Sequence, residues 1–185
     1  MSSSPARRAM RVAPLFSRLV DGRPASWRDG VDRHVATMTA VTWLEASPEA
    51  VFAFHADARN LSRLLPGPAR LVRAPVPTRA GDRQIIRLGV RPFALEWHAR
   101  ITGFSAPTTL TDVQERGPFH LWRHTHKVLP ARGGAMLVDY VEFRLLPGRL
   151  GRLADRLLMA PMLRLLFIER HRRTRRFLAG GSVRS

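Results

Sequence analysis

The sequence predicts an α+β domain in which a curved antiparallel sheet of about seven strands is closed by a long C-terminal helix, with two short helices following the first strand. Three observations predict it. Between residues 66 and 136, Gly- and Pro-containing turn signals recur at about every ten to fifteen positions, the spacing of consecutive antiparallel strands. Beyond Pro147 the apolar residues return at helical intervals instead. The length of 185 residues suits a single domain with a sizeable core.

The elements follow in order. Strand periodicity begins near residue 38 with Val41 and Trp43. Ala46-Ser47-Pro48-Glu49 then opens a helix: Ser47 as N-cap, Pro48 at the first helical position, Glu49 against the positive end of the dipole. That short helix carries Val51, Phe52 and Phe54, and Asp57 starts a second one toward Pro66. Strands are expected at 69–75, 83–90, 93–104, 108–116, 119–129 and 136–145. The turns between the later strands hold Gly89 to Pro92, Ser105-Ala106-Pro107, Gly117-Pro118 and Arg132-Gly133-Gly134, each with the residue a tight reversal needs. From Pro147 on, Leu150, Leu153, Leu157, Leu163, Leu166 and Phe167 form one stripe, with a kink or break expected at Pro161. Leu163, Leu166, Phe167 and Phe177 are expected to face the sheet.

Composition narrows the function classes. The chain has no cysteine, which excludes disulfides, Cys zinc ribbons, iron–sulfur clusters and a thiol nucleophile. The basic side of the +17 net charge is 30 Arg against the single Lys127, and its distribution is uneven. Residues 1–35 carry 7 Arg and 3 acids, 36–146 carry 14 basic and 9 acidic residues, and 147–185 carry 10 and 2. The middle is nearly balanced and the excess lies at the ends. Residues 1–35 therefore read as an Arg-rich, flexible extension, 36–178 as the domain and 179–185 as a tail. In the extension Val12, Leu15, Phe16, Leu19 and Val20 share helical spacing, which allows peripheral membrane contact through the basic termini. No run of residues reaches a bilayer span or an uninterrupted signal-peptide core, which points to a cytoplasmic protein. The run Glu169 to Arg176 spreads its arginines over more than one helix face and reads as a solvated helix end; with no zinc finger, RNP-like motif or basic zipper, nucleic acid is disfavoured.

Strand parity sorts the side chains. A hairpin across Gly117-Pro118 with Arg116 facing Phe119 pairs Glu115 with His120, Val113 with Trp122 and Thr111 with His124. His120, Trp122, His124, His126 and Val128 then share the inner face, with Leu121, Arg123, Thr125 and Lys127 toward solvent. On the next strand Leu137, Asp139, Val141 and Phe143 point in while Glu142 and Arg144 point out, and on 93–101 Phe93, Leu95, Trp97, Ala99 and Ile101 point in. The inner surface is apolar with few polar groups, the character of a small-molecule site. Its candidate ligand-binding residues are Trp97, Ile101, Val113, His120, Trp122, His124, Val141 and Phe143. Pairing through the Gly133-Gly134 turn puts His126 near Asp139, an ion pair that should hold the imidazolium form. Histidines two apart on a strand stand roughly 7 Å apart, wide for one zinc ion, so no metal is expected. No GxGxxG turn occurs, and no cofactor is expected.

Asp112-Val113-Gln114, Gly117-Pro118-Phe119, Trp122, His124, His126, Asp139, Leu146-Pro147-Gly148, Leu150-Gly151, Phe167 and Arg170-His171-Arg172 give the chain a family likeness. In these residues, over roughly 36–178, it resembles the START-like or Bet v 1-like (SRPBCC) superfamily, and within it a bacterial branch also found fused to NAD-dependent epimerase-like proteins. The resemblance implies the helix-grip fold and an internal cavity. It implies binding of a hydrophobic small molecule: a lipid, an isoprenoid or quinone, or a polyketide-like compound. Two alternatives come with it. One is a polyketide cyclase or dehydratase in which His126 is the general base and Asp139 orients it. The other is an accessory module for a separately encoded NAD-dependent reductase or epimerase.

Overall fold

The computed structural model describes residues 35–181. The extension expected over 1–35 lies outside the described residues apart from Val35, as do residues 182–185 of the tail.

A seven-stranded antiparallel sheet is assembled in the order β1-β7-β6-β5-β4-β3-β2. The strands are β1 (Ala36–Leu44), β2 (Ala69–Arg73), β3 (Arg83–Leu88), β4 (Leu95–Ser105), β5 (Thr109–Arg116), β6 (Leu121–Ala131) and β7 (Gly134–Arg144). Every connection after β2 is a hairpin, and only β1 joins the far edge, pairing with β7. Register shifts in β4, between His98 and Ala99 and between Ile101 and Gly103, mark irregularities that bend the sheet.

The short helices follow β1 as their sequence dictates. Helix α1 (Pro48–Ala56) begins at Ser47, whose hydroxyl oxygen accepts from the Ala50 N–H at 3.2 Å, with Pro48 at its first position. Asp57 then caps a 3₁₀ turn (Ala58–Asn60) by accepting from the Arg59 N–H, and α2 (Leu61–Leu64) follows at once.

The C-terminal helix is unbroken from α3 (Gly148–Ala154) through a π-turn (Asp155–Met159) into α4 (Ala160–Gly181). No break occurs at Pro161. Proline has no N–H to donate to Leu157, and the wider turn just before it absorbs the mismatch, with the Ala160 N–H reaching back to the Asp155 carbonyl. The wide turn also divides the apolar stripe. Leu163 and Phe167 are buried and Leu166 is partly buried, whereas Leu150, Leu153 and Leu157 face outward. Gly151 and Asp155 take the inward positions instead. A side chain at Gly151 would collide with the Leu146 carbonyl, and Asp155 forms a buried ion pair with Arg144 at 3.0 Å while accepting from the Leu145 N–H. Phe177 is also displaced from its expected place: it lies half-exposed beside Phe54 and beneath the Arg63 guanidinium.

Two apolar clusters hold the layers together. Met38, Phe119, Trp122, Val141, Phe143, Met159, Leu163 and Phe167 join the sheet to the C-terminal helix. Leu44, Val51, Phe52, Ile101, Leu110, Val128 and Leu137 join it to α1. The outer face is less solvated than alternation implies. Arg123 and Glu142 are cross-strand partners, buried together at 3.6 Å, and Thr111 and Thr125 share a hydrogen bond at 3.1 Å.

Phe167 sits at the centre of the first cluster, so Phe167→Ala is expected to cost about 3–5 kcal/mol of stability. Leu165→Ala, an outward neighbour, is expected to cost less than about 1 kcal/mol. Denaturant titration of both variants reads the difference, and equal costs would contradict the assigned helix faces.

Candidate functional site

A cavity of about 430 Å³ lies between the sheet and the C-terminal helix. Its walls are mainly apolar: Leu64, Ile86, Trp97, Ala99, Ile101, Leu110, Trp122, Leu163 and Phe167 all contribute. Trp97, Phe119 and Trp122 stack edge-on or tilted at 4.8–5.7 Å and stiffen one side. Asp57 and Gln84 add polar atoms to the lining, and five further polar residues, His55, Asp112, His124, His126 and Arg170, form one connected cluster in it.

Behind those groups stands Asp139, fully buried on β7 and not itself part of the lining. Strand register places it directly opposite His126, because the β6–β7 hairpin turns tightly at Gly133, whose φ of +73° suits only glycine. Its Oδ1 contacts His126 Nδ1 and lies 3.1 Å from His124 Nε2, and its Oδ2 lies 2.5 Å from His171 Nε2. A single carboxylate thus anchors two strands and the long helix. Burial alone would favour its protonated form, but the surrounding histidines outweigh that and hold its pKa well below the usual carboxylate range.

The two β6 histidines differ in charge. Burial opposes the charged form of His124. Its Nδ1 nevertheless faces Asp112 at 3.3 Å while Nε2 faces Asp139, and the two carboxylates raise its pKa. Asp112, held below the usual carboxylate range by His124 against the opposing effect of burial, is its second counter-charge. His126 goes the other way: burial first, then the charge on His124, push it down to about 4. The expected imidazolium at His126 is therefore not what the geometry holds. Arg170 Nη2 lies 3.2 Å from His126 Nε2, and since arginine only donates, that nitrogen must carry the lone pair; Nδ1–H then points at Asp139.

Two further groups complete the lining. The Thr174 hydroxyl donates to the Arg170 carbonyl, so its oxygen receives the His55 Nε2–H at 3.4 Å. That leaves His55 Nδ1 as a buried lone pair without a partner, and burial keeps this ring neutral. Arg170 is buried over the Phe167 ring, and its Nε also has no partner.

The donor atoms of Asp112, His124 and His126 lie within 4.8 Å of one another, closer than strand spacing implies because the two rings lean together at 4.1 Å. Each is already engaged, by Asp139, by its neighbour or by the Arg170 cation, so a metal ion would have to displace that guanidinium.

Of the residues expected to line a pocket, Trp97, Ile101, Trp122 and His124 do so. Val141 and Phe143 point inward but are consumed by packing on Leu163 and Phe167. Val113 and His120 do not line the cavity. The β5–β6 connection runs from Gly117 to His120 instead of turning at two residues, so Asp112 pairs with His124 and Val113 with Arg123. That slip of one residue puts Asp112 on the inner face and Val113 on the outer one. Gln114 bridges the longer loop by donating to the Phe119 carbonyl, which turns Phe119 inward and leaves His120 exposed. Parity reasoning did not find His55, Asp112, Arg170 or His171. Arg170 and His171 stand in the charge run read as solvated, yet with Thr174 they recur at helical spacing and form the inward face of α4.

The sheet, the long helix and the cavity between them define a helix-grip-like α+β fold. Solved structures with a similar architecture include the following three. Norcoclaurine synthase of Thalictrum, a point mutant in complex with a transition-state analogue, superposes with a TM-score of 0.63 at 13% identity, covering 83% of this chain and 99% of that one. The di-domain ARO/CYC protein StfQ of the steffimycin biosynthetic pathway gives 0.67 at 14%, covering 98% of this chain and 63% of that one. SA2116 of Staphylococcus aureus, a protein of unknown function, gives 0.67 at 10%, covering 84% and 100%. No protein-family profile and no curated protein sequence matches the chain. At these identities the likeness is one of fold.

The buried charges fix a pH dependence. Because the folded pKa of His126 lies near 4, below the usual 6.5, the unfolded chain takes up its proton first as pH falls. Stability is therefore full above about pH 6.5 and declines toward pH 4, by about 3 kcal/mol for this group alone. Thermal melts across that range should show the decline, and His126→Gln should flatten it. Asp139 acts at lower pH: its contribution is full above about pH 4 and is lost only as pH falls further. Asp139→Ala at pH 7 should cost about 3–5 kcal/mol, since it removes the buried partner shared by His124, His126 and His171 and leaves His124 with Asp112 alone.

Proposed function

We propose that this protein binds a hydrophobic small molecule, such as a lipid, an isoprenoid or quinone, or a polyketide-like compound, inside the cavity, with one polar group of the ligand turned toward Arg170. The observation that carries this is a guanidinium buried in a mainly apolar wall with its Nε unengaged. Such donors are costly to leave unpaired, and a ligand carbonyl, carboxylate or phenol oxygen would satisfy them. The free Nδ1 of His55 offers the complementary acceptor for a ligand hydroxyl. Trp97, Ile101, Trp122 and His124 contribute the surrounding wall, while Asp139 acts as a positioning residue that fixes the histidines.

Native mass spectrometry of protein purified without detergent tests for a retained ligand. Titration with anilinonaphthalene sulfonate, an apolar aromatic anion, tests the site itself. Arg170→Gln should weaken that probe about tenfold or more, the value of a charged hydrogen bond. Affinity unchanged by Arg170→Gln would refute the assigned orientation.

A second reading, a cyclase or dehydratase using His126 and Asp139, is favoured by the tautomer that the site imposes. Asp139 and Arg170 together leave the only lone pair of His126 on Nε2, which a substrate carbonyl could free by taking over the guanidinium. His126 would then be the general base and Asp139 its orienting group. In that case His126→Gln should lower turnover of a poly-β-keto substrate by about 100-fold or more. Turnover unaffected by the substitution would leave binding as the function.

A further inference from the structure

The outer face of the C-terminal helix is apolar and belongs to neither the core nor the polar cluster. Leu150, Leu153, Leu157, Leu158, Leu165 and Ile168 are between 55% and 79% exposed. They follow one another at intervals of mostly three or four residues, with exposed Pro161 and Met162 between, so the patch runs along α3, the π-turn and the first half of α4. A soluble monomer seldom leaves so continuous an apolar face uncovered.

The charges beside the patch say what covers it. Exposed Arg149, Arg156 and Arg164 flank it, and the only acid between residues 148 and 168 is Asp155, which is buried against Arg144. A second copy of the chain fits poorly, because an isologous contact would set these arginines near their own counterparts with no exposed acid between residues 148 and 168 to offset them. The chain's own residues 1–34 carry the same sign, with 7 Arg against 3 acids. Leucines flanked by arginines match a different surface, in which apolar side chains enter the acyl boundary and guanidinium groups meet phosphates. No helix among the described residues is long and apolar enough to cross a membrane, so the contact is one of lying on the surface.

We infer that the outer face of the C-terminal helix docks this protein on a bilayer containing anionic phospholipid. The inference does not depend on what the cavity holds. Met162 links the two features, being both exposed on the patch and part of the cavity lining, so docking brings that wall of the cavity to the lipid.

Flotation of the full chain with phosphatidylcholine vesicles, with and without about one-third phosphatidylglycerol, tests it. Binding to the anionic vesicles should be at least about tenfold stronger and should weaken at high salt. Leu157→Glu with Leu165→Glu should abolish most of it, by about tenfold or more, while Val72→Glu on exposed β2 should not. Arg156→Gln with Arg164→Gln should reduce the preference for anionic lipid by several-fold. A second measurement is independent of any loss of folding. The chain has no cysteine, so Leu157→Cys or Leu165→Cys can carry a single environment-sensitive fluorophore. Its emission should shift to the blue on anionic vesicles, and the same label at Val72→Cys should not. Failure to bind either vesicle overturns the proposal. So does binding that the leucine variants leave intact, which would place the contact elsewhere, including residues 1–34. A lipid-free dimer that the same variants dissolve would assign the face to a second copy and overturn it equally.

Discussion

The Asp139 carboxylate is the constraint on which the rest of this structure depends. A charged oxygen pair at 0% exposure would be strongly disfavoured alone, and here its partners come from two elements of the fold. His124 and His126 approach from β6 and His171 from α4, so sheet and helix must both be in place before the charge is compensated. The same requirement sets the geometry of the cavity. With His171 held to Asp139, the next inward residues of α4 are fixed: Phe167 and Leu163 below it pack on Val141 and Phe143, and Arg170 beside it reaches His126. A hollow survives between helix and sheet because the helix is held at the polar cluster and at the Arg144–Asp155 pair. The stretch between them does not need to collapse onto β3 and β4.

Charge alternates through the cluster in a way that explains its asymmetry. His124 stands between two carboxylates and takes the positive charge. Once it does, His126 next to it is penalised both by burial and by that charge, and remains neutral. Arg170 then finds a lone pair instead of a competing proton. Three cations crowded around two carboxylates would leave an excess of buried positive charge; one neutral histidine removes it. The arrangement also leaves the Nε donor of Arg170, a residue that lines the cavity, without a partner.

How much of this was legible in the sequence depends on what fixes each register. The sheet, its strand order along the chain and the long helix could be read from turn residues and periodicity. The β6–β7 pairing could be read as well, because Gly133-Gly134 leaves little freedom in the turn and sets His126 against Asp139. The β5–β6 pairing could not. Gly117-Pro118 looks like a tight reversal, but Phe119 gains more by burial beside Trp97 and Trp122, and Gln114 can satisfy the backbone of a longer loop. One residue of slip exchanged Asp112 for Val113 on the inner face. Arg170 and His171 were hidden for another reason. In a run of arginines nothing local distinguishes the two positions that turn inward, and only the presence of Asp139 across the gap makes burial of a cation tolerable.

The C-terminal helix shows the same limit at larger scale. As a plain helix with one face, its leucines from 150 to 166 form a single stripe. The π-turn before Pro161 changes the phase, so that one end of the stripe packs on the sheet and the other faces out. The inward places given up by Leu150, Leu153 and Leu157 go to Gly151, which allows the helix start to approach Leu146, and to Asp155, which neutralises Arg144. Both choices anchor the helix without filling the cavity. The helix that closes this hollow fold is thus fastened by polar contacts at two points and by Met159, Leu163 and Phe167 between them. Its remaining leucines are left to the outside, where the flanking arginines set the character of the surface they form.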